Sequence, residues 1–295
     1  MMPVMIPTRS VRVGSRFLFA AVVISFALSL SGKSNRSNDE EKFSSQSMAA
    51  MDKKKELIHQ ELGTLRAHPW AGEYHYGDGL GVNVHLSLAP KSGFVFTWHG
   101  CLGLYDLNYG EVQETDGKIR LIFTHPNDRE GFQGIAPELI PILWGRRHYL
   151  VPSDGLVEFA NEINSGSEPG RNGGSRFLLR AGDESKLVRG LPALPAPYSA
   201  YLLNRPIQAR ISSVTESRLE KSTRTTTVVL DVGSEQGVLE GMEFFLYSPA
   251  AVFESARITH VHSSDSEAEI VQFQVDEKVG RPSINWRLST RMRGN

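Results

Sequence analysis

From residue 70 onward the apolar positions recur at a period of two. Val82, Val84, Leu86 and Leu88 alternate with Asn83, His85 and Ser87. Phe94, Phe96 and Trp98 alternate with Val95, Thr97 and His99, and Ile119, Leu121 and Phe123 with Arg120, Ile122 and Thr124. Successive strand residues point to opposite faces, so this alternation predicts strands with one buried and one wetter face. Between them lie the turn-forming groups Gly77-Asp78-Gly79, Pro90-Lys91-Ser92-Gly93 and Asp116-Gly117-Lys118. These are short enough for antiparallel hairpins. Further strands are expected at residues 105–113, 143–151 and 176–180, and a short helix at 156–163. Residues 126–141 read as one long irregular section, with Gly131, Gly134 and Pro137, and 166–174 as a flexible loop. Such a meander closes into a barrel or packs as a sandwich, and closure removes exposed edges.

A second β block follows residues 186–206, where Pro192, Pro195 and Pro197 space an apolar stretch. Proline fixes φ, so this stretch reads as a semi-rigid connector, and its apolar residues predict that it packs on a domain surface. Strands are expected at 207–214, 225–231, 243–247, 256–261, 268–274 and 284–288. Between the second and third, Gly233, Gly237 and Gly241 recur every four residues, predicting a compact double turn with Val238 and Met242 aimed at the core.

The first 66 residues differ. Arg9, Arg12 and Arg16 precede an apolar run from Phe17 to Leu30, the order of a secretory signal. The run is shorter than the roughly 20 residues a spanning helix needs, which favours a cleaved signal over a membrane anchor for residues 1–32. Translation from Met48 or Met51 would instead make this segment an artefact. Residues 33–66 are expected to be a mobile tether ending in a short helix capped by Asp52, with Ile58, Leu62 and Leu65 on one stripe.

Two resemblances attach to these motifs. Asp231 to Met242 resembles the β-barrel module of the rod-shape-determining scaffold MreC and related envelope proteins. Those carry a Gly-Ser-x-x-Gly-Val-x-x-Gly-Met turn, and Gly233, Ser234, Gly237, Val238, Gly241 and Met242 match it. Residues 248–254 depart from their short glycine turn. The resemblance implies a small SH3-like or OB-like barrel over 207–295 and an envelope setting. Trp70-Ala71-Gly72-Glu73-Tyr74 resembles the first strand of calycin barrels, in which a tryptophan plugs one end. For residues 67–185 it implies a lipocalin-like barrel holding an apolar small molecule.

Composition narrows the classes. The chain has 295 residues and a net charge of −1, with no basic excess of the kind nucleic-acid binding requires. Cys101 is the single cysteine, which excludes an intramolecular disulfide and a multi-cysteine metal site. His75, His85 and His99 fall on the polar parity of three consecutive strands, where three imidazoles sharing a face would suit zinc. The same parity is also simply the solvent side. Cys101 beside His99 has two readings, an activated thiol nucleophile or a small buried hydrophobe, and the second is expected. Glu73, Asp78, Asp106 and Glu111 are the carboxylates that might pair for glycoside cleavage, but nothing in their spacing sets their separation. No hydrolase, metalloprotease, phosphate-loop or dinucleotide motif is present.

The sequence therefore predicts an exported, all-β, two-domain envelope protein that binds or scaffolds. Its partner would be an apolar small molecule or an envelope protein, with no cofactor and no nucleic acid. Contact with a membrane would run only through the N-terminal segment. The alternative is a hydrolase or metal-dependent enzyme using Cys101 or the histidine face of the first β domain.

Overall fold

The computed structural model describes residues 41–65, 67–77, 81–128, 134–170, 176–249, 254–273, 280–284 and 286–293. The signal or anchor segment, residues 33–40 of the expected tether and Asp78 lie outside them. Among the described residues no helix is long and apolar enough to cross a membrane.

The choice between barrel and sandwich resolves to two closed antiparallel barrels. Barrel 1 is an eight-stranded meander: β1 Gly72–Gly77, β2 Asn83–Ala89, β3 Gly93–Gly100, β4 Gly103–Thr115, β5 Lys118–Phe123, β6 Glu138–Trp144, β7 Arg147–Pro152 and β8 Leu178–Arg180. Each strand pairs with the next and β8 returns to β1. Its inner face carries Tyr74, Tyr76, Val84, Leu86, Leu88, Phe94, Phe96, Trp98, Leu121, Leu139, Leu150 and Leu178. Each such side chain contributes about 1.5–3 kcal/mol on burial.

Residues 143–151, expected as one strand, are instead a hairpin, because Gly145 adopts φ 61 and turns the chain between β6 and β7. The irregular section is accordingly shorter than expected: β6 begins at Glu138 and keeps Pro141 within the ladder opposite Leu150. Proline weakened the strand signal there without preventing the strand. At Asp116-Gly117 both residues have positive φ, 53 and 73, the geometry that matches strand twist in a two-residue hairpin.

The N-terminal helix is longer than its sequence signal. Helix α1 spans Ser45–Thr64, and its cap is Ser44, not Asp52: the Ser44 hydroxyl accepts from the Ser47 backbone N–H at 3.1 Å. It packs Met51 and Ile58 against the outward-facing Ala89, Val95 and Leu107 of β2, β3 and β4. Glu61 accepts from the backbone N–H groups of Lys91 and Ser92, tying the helix to the β2–β3 turn. Residues 41–47 are thus not tether, since Lys42 and Ser47 are buried.

Barrel 2 comprises β9 Gln208–Glu220, β10 Thr223–Leu230, β11 Glu243–Ser248, β12 Ser255–Val261, β13 Ser266–Gln272 and β14 Arg287–Ser289, in the spatial order β10-β13-β12-β11-β14-β9. The double turn sits between β10 and β11, and Val238 and Met242 are fully buried. Gly237 and Gly241 hold φ 82 and 83, as the glycine rhythm predicts. Gly233 differs: its φ is −141, and glycine is needed because a Cβ would stand 2.4 Å from the His262 carbonyl oxygen.

Helix α2, Leu156–Ser165, lies between the barrels. Leu156, Phe159 and Ile163 pack on the outer face of β6 and β7, together with Leu194 from the connector. Asn161 donates to the Gly241 carbonyl at 2.9 Å and accepts from the Glu243 N–H at 3.2 Å. Asn164 bonds Tyr201 and Leu203, and Tyr201 reaches the Glu240 carbonyl. The proline-spaced connector therefore packs on barrel 1, as its apolar residues predict.

Candidate functional site

The histidine face is formed largely as the alternation predicts. His75 and His85 are direct cross-strand partners, and the rings of His85 and His99 are 6.3 Å apart, edge to face. Burial, then the neighbouring His99 and His75, pushes the His85 imidazole below its usual range. His75 Nε2 lies 3.5 Å from Glu184. Among the described residues no three His, Cys, Asp or Glu side chains are grouped to hold a metal ion.

Cys101 corrects the sequence expectation. It is exposed at the β3–β4 turn, not a buried hydrophobe. Register explains this: Gly100 pairs with Gly103, so Cys101 and Leu102 form the tip of the hairpin. The His99 ring packs edge to face against His85 across the neighbouring strands.

The carboxylates do not gather. Asp106 is buried, Glu73 stands exposed on the outer face near His85, and Glu111 is exposed on β4. Asp106 instead binds Lys42 Nζ at 2.6 Å, with side-chain exposures of 1% and 4%. Beside this ion pair the buried Ser47 hydroxyl lies 2.7 Å from His125 Nε2. Asn108 holds His125 in place by donating to its carbonyl and accepting from its N–H. Burial, then the Lys42 charge, pushes the His125 imidazole down, against a smaller opposing effect of Glu41. A hydroxyl–imidazole pair is nucleophile–base chemistry in principle. Here both groups are buried, and they latch the start of α1 onto barrel 1. The sequence signal was available but faint: Ser47, Met51 and Ile58 sit at spacings of four and seven, extending the helical stripe upstream.

A second polar cluster closes the end of barrel 1 where β1 begins. Trp70 is buried in the core, and its indole N–H donates to Glu114. Arg180 donates to the Tyr74 hydroxyl and to the His68 carbonyl. Burial pushes the Tyr74 phenol up to about 12, with Arg180 opposing. Next to it, Asp183 accepts from the His148 backbone N–H at 2.7 Å, from His148 Nδ1 at 2.8 Å and from Lys186. Burial would raise the Asp183 carboxyl, but Lys186 and His148 outweigh it and hold it below the usual range. Arg147 donates to the carbonyls of Lys186 and Glu184 and pairs with Glu168. These bonds fix residues 183–190 as a strap across the β6–β7 turn. The pairings themselves are not legible in a sequence pattern, because key partners lie far apart in the chain: 35 residues for His148 and Asp183, 78 for Ser47 and His125, and 112 for His68 and Arg180.

Among the described residues, apolar side chains pack the interior of barrel 1. A cavity of about 20 Å³, lined by Tyr76, Val84, Ile135, Leu139 and Leu178, has room for one water. The Ile135 side chain, from the loop after β5, is buried at that end. No family model, curated protein or solved structure matches the chain.

Proposed function

We propose that this chain is an exported cell-envelope scaffold that binds protein partners through its outer surface. The observation that carries the reading is the apolar side-chain packing inside barrel 1 among its described residues. A carrier of an apolar molecule needs a cavity of some hundreds of Å³, whereas side chains occupy this barrel. Export is supported by the basic flank before Phe17 to Leu30, and an envelope setting by the glycine turn at Gly233 to Met242. Docking of α2 on both barrels suits a rigid spacer better than a catalyst that must open and close.

Two measurements test this. A fluorescent fatty-acid analogue titrated against the purified protein should show no saturable one-to-one binding; stoichiometric binding that quenches tryptophan overturns the scaffold reading in favour of a carrier. Fractionation of tagged full-length protein should place it outside the cytoplasm, and a soluble cytoplasmic form retaining Phe17 to Leu30 overturns export.

A further inference from the structure

The end of barrel 1 that carries the strap presents an apolar tip. Leu143, Leu187 and Leu191 are 54%, 71% and 39% exposed. They come from one neighbourhood. A Cβ on Gly145 would lie 2.9 Å from the Leu187 carbonyl and 3.0 Å from Val188, and Trp144 Nε1 donates to the Gly190 carbonyl at 2.8 Å. Single exposed leucines are unremarkable, but here three belong to two segments, residues 143–146 and 187–191, that meet at one hairpin turn. Arg147 anchors the strap beside them through the carbonyls of Lys186 and Glu184.

The β6–β7 hairpin also reaches past its neighbour on one side. Ile119 pairs with Leu139, so the Asp116-Gly117 turn of the neighbouring hairpin ends level with Pro141. The β6–β7 turn at Gly145 continues four residues further, roughly 13 Å at strand rise. Arg146 and Arg189 flank the leucines, both exposed and without an ion-pair partner among the described residues. Lys186 adds a cation already shared with Asp183. The one exposed carboxylate on the strap, Glu184, faces His75.

We infer that this tip docks on an anionic lipid surface, with Leu143, Leu187 and Leu191 entering the interface and Arg146 and Arg189 meeting the headgroups. Charge selects this occupant. A two-fold pairing with a second copy would set the arginines near one another, whereas an anionic bilayer neutralises both. A projecting apolar tip ringed by cations buries its leucines at the headgroup boundary while its arginines stay solvated. The inference rests on the envelope reading only for access to a bilayer, and purified protein tests the surface separately.

The test uses the full chain in a Cys101→Ser background with Leu187→Cys carrying an environment-sensitive fluorophore. Placing the probe on the tip keeps the readout independent of binding through the N-terminal apolar run. Vesicles of phosphatidylglycerol and phosphatidylcholine should shift its emission to the blue; phosphatidylcholine alone should not, nor should a probe at Glu235→Cys respond. Replacing Arg146 or Arg189 by Gln should weaken partitioning about fivefold each, near the contribution of one basic residue at such a surface. Added salt should weaken it further. A Leu187 probe that stays in water while the protein sediments with vesicles overturns the proposal. So does a probe that is shifted before vesicles are added, which would assign the tip to a second copy. Equal response to both vesicle types overturns the electrostatic part and with it the choice of occupant.

Discussion

Breaking the Lys42–Asp106 pair should cost more than any other single polar change in barrel 1. The two side chains are almost fully buried and 2.6 Å apart. Removing one partner of a buried ion pair strands the other charge, at a cost of about 3–5 kcal/mol. Asp106 would keep the Leu107 backbone N–H at 2.9 Å, which offsets part of the loss. Lys42→Met, which preserves the length of the stem, should therefore destabilise by about 3 kcal/mol. Asp106→Leu should cost as much, because Lys42 then loses its carboxylate in a buried setting. The double variant Lys42→Met with Asp106→Leu removes both charges and should recover most of the loss, since an apolar pair of similar volume commonly replaces a buried ion pair without penalty. Urea unfolding followed by tryptophan fluorescence reads all three, and Trp98, the cross-strand partner of Asp106, reports locally. Single variants costing below about 1 kcal/mol, the range of exposed pairs, would show that water reaches the latch and refute the reasoning. A double variant no better than the worse single would refute it equally.

Asn161→Ala should uncouple the barrels, since it deletes both bonds from α2 to the double turn; calorimetry should show one transition splitting into two, and a single unsplit transition would count against the docking role. Gly233→Ala should destabilise barrel 2 far more than Gly237→Ala. The first sets a Cβ against backbone oxygens at 2.4 and 2.6 Å, while the second meets nothing within 4 Å and costs only about 1 kcal/mol for its positive φ. Stability should fall as pH drops below the ordinary imidazole value of 6.5, because the unfolded chain protonates His125 there while the folded chain resists it. His125→Gln should flatten that part of the melting-temperature profile, and parallel profiles would exclude His125 as the cause. Cys101 should react with alkylating reagents equally fast in the native and urea-unfolded protein, and labelling confined to the unfolded state would contradict its exposure.

Period-two patterning made most strands legible, because burial on one face leaves a direct trace in sequence. It failed where that trace is broken. Leu143 and Trp144 end one strand and Arg147 begins the next, so the hairpin hides between two apolar runs parted only by Gly145, Arg146, Arg147 and His148, with a single turn-forming residue among them. Val214 to Glu220 extends β9 although every residue there is exposed, and a strand with no buried face writes no alternation. Helix α1 was read too short for a related reason. Its upstream contacts, Lys42 and Ser47, bury polar groups that resemble tether until the distant Asp106 and His125 are known. The histidine face was legible because alternation alone assigns each residue its face of the sheet, while the exposure of Cys101 depended on where the β3–β4 turn falls.

The glycine turn shows most clearly how a motif and its use separate. Its glycines specify local geometry: two need positive φ and one needs the absence of a Cβ. That much transfers with any resemblance. The same turn also exposes the Gly241 carbonyl and the Glu243 N–H to Asn161, 80 residues upstream on a helix belonging to the other barrel. A Cβ on Gly241 would come within 3.2 Å of Val157, so glycine also sets how closely α2 approaches. The motif thus fixes both the fold of barrel 2 and its seat on α2. Because α2 in turn packs on β6 and β7, the strands ending at the leucine tip, barrel 2 and the tip are held through one continuous set of contacts. Anything that orients the tip therefore also orients barrel 2 through the same contacts.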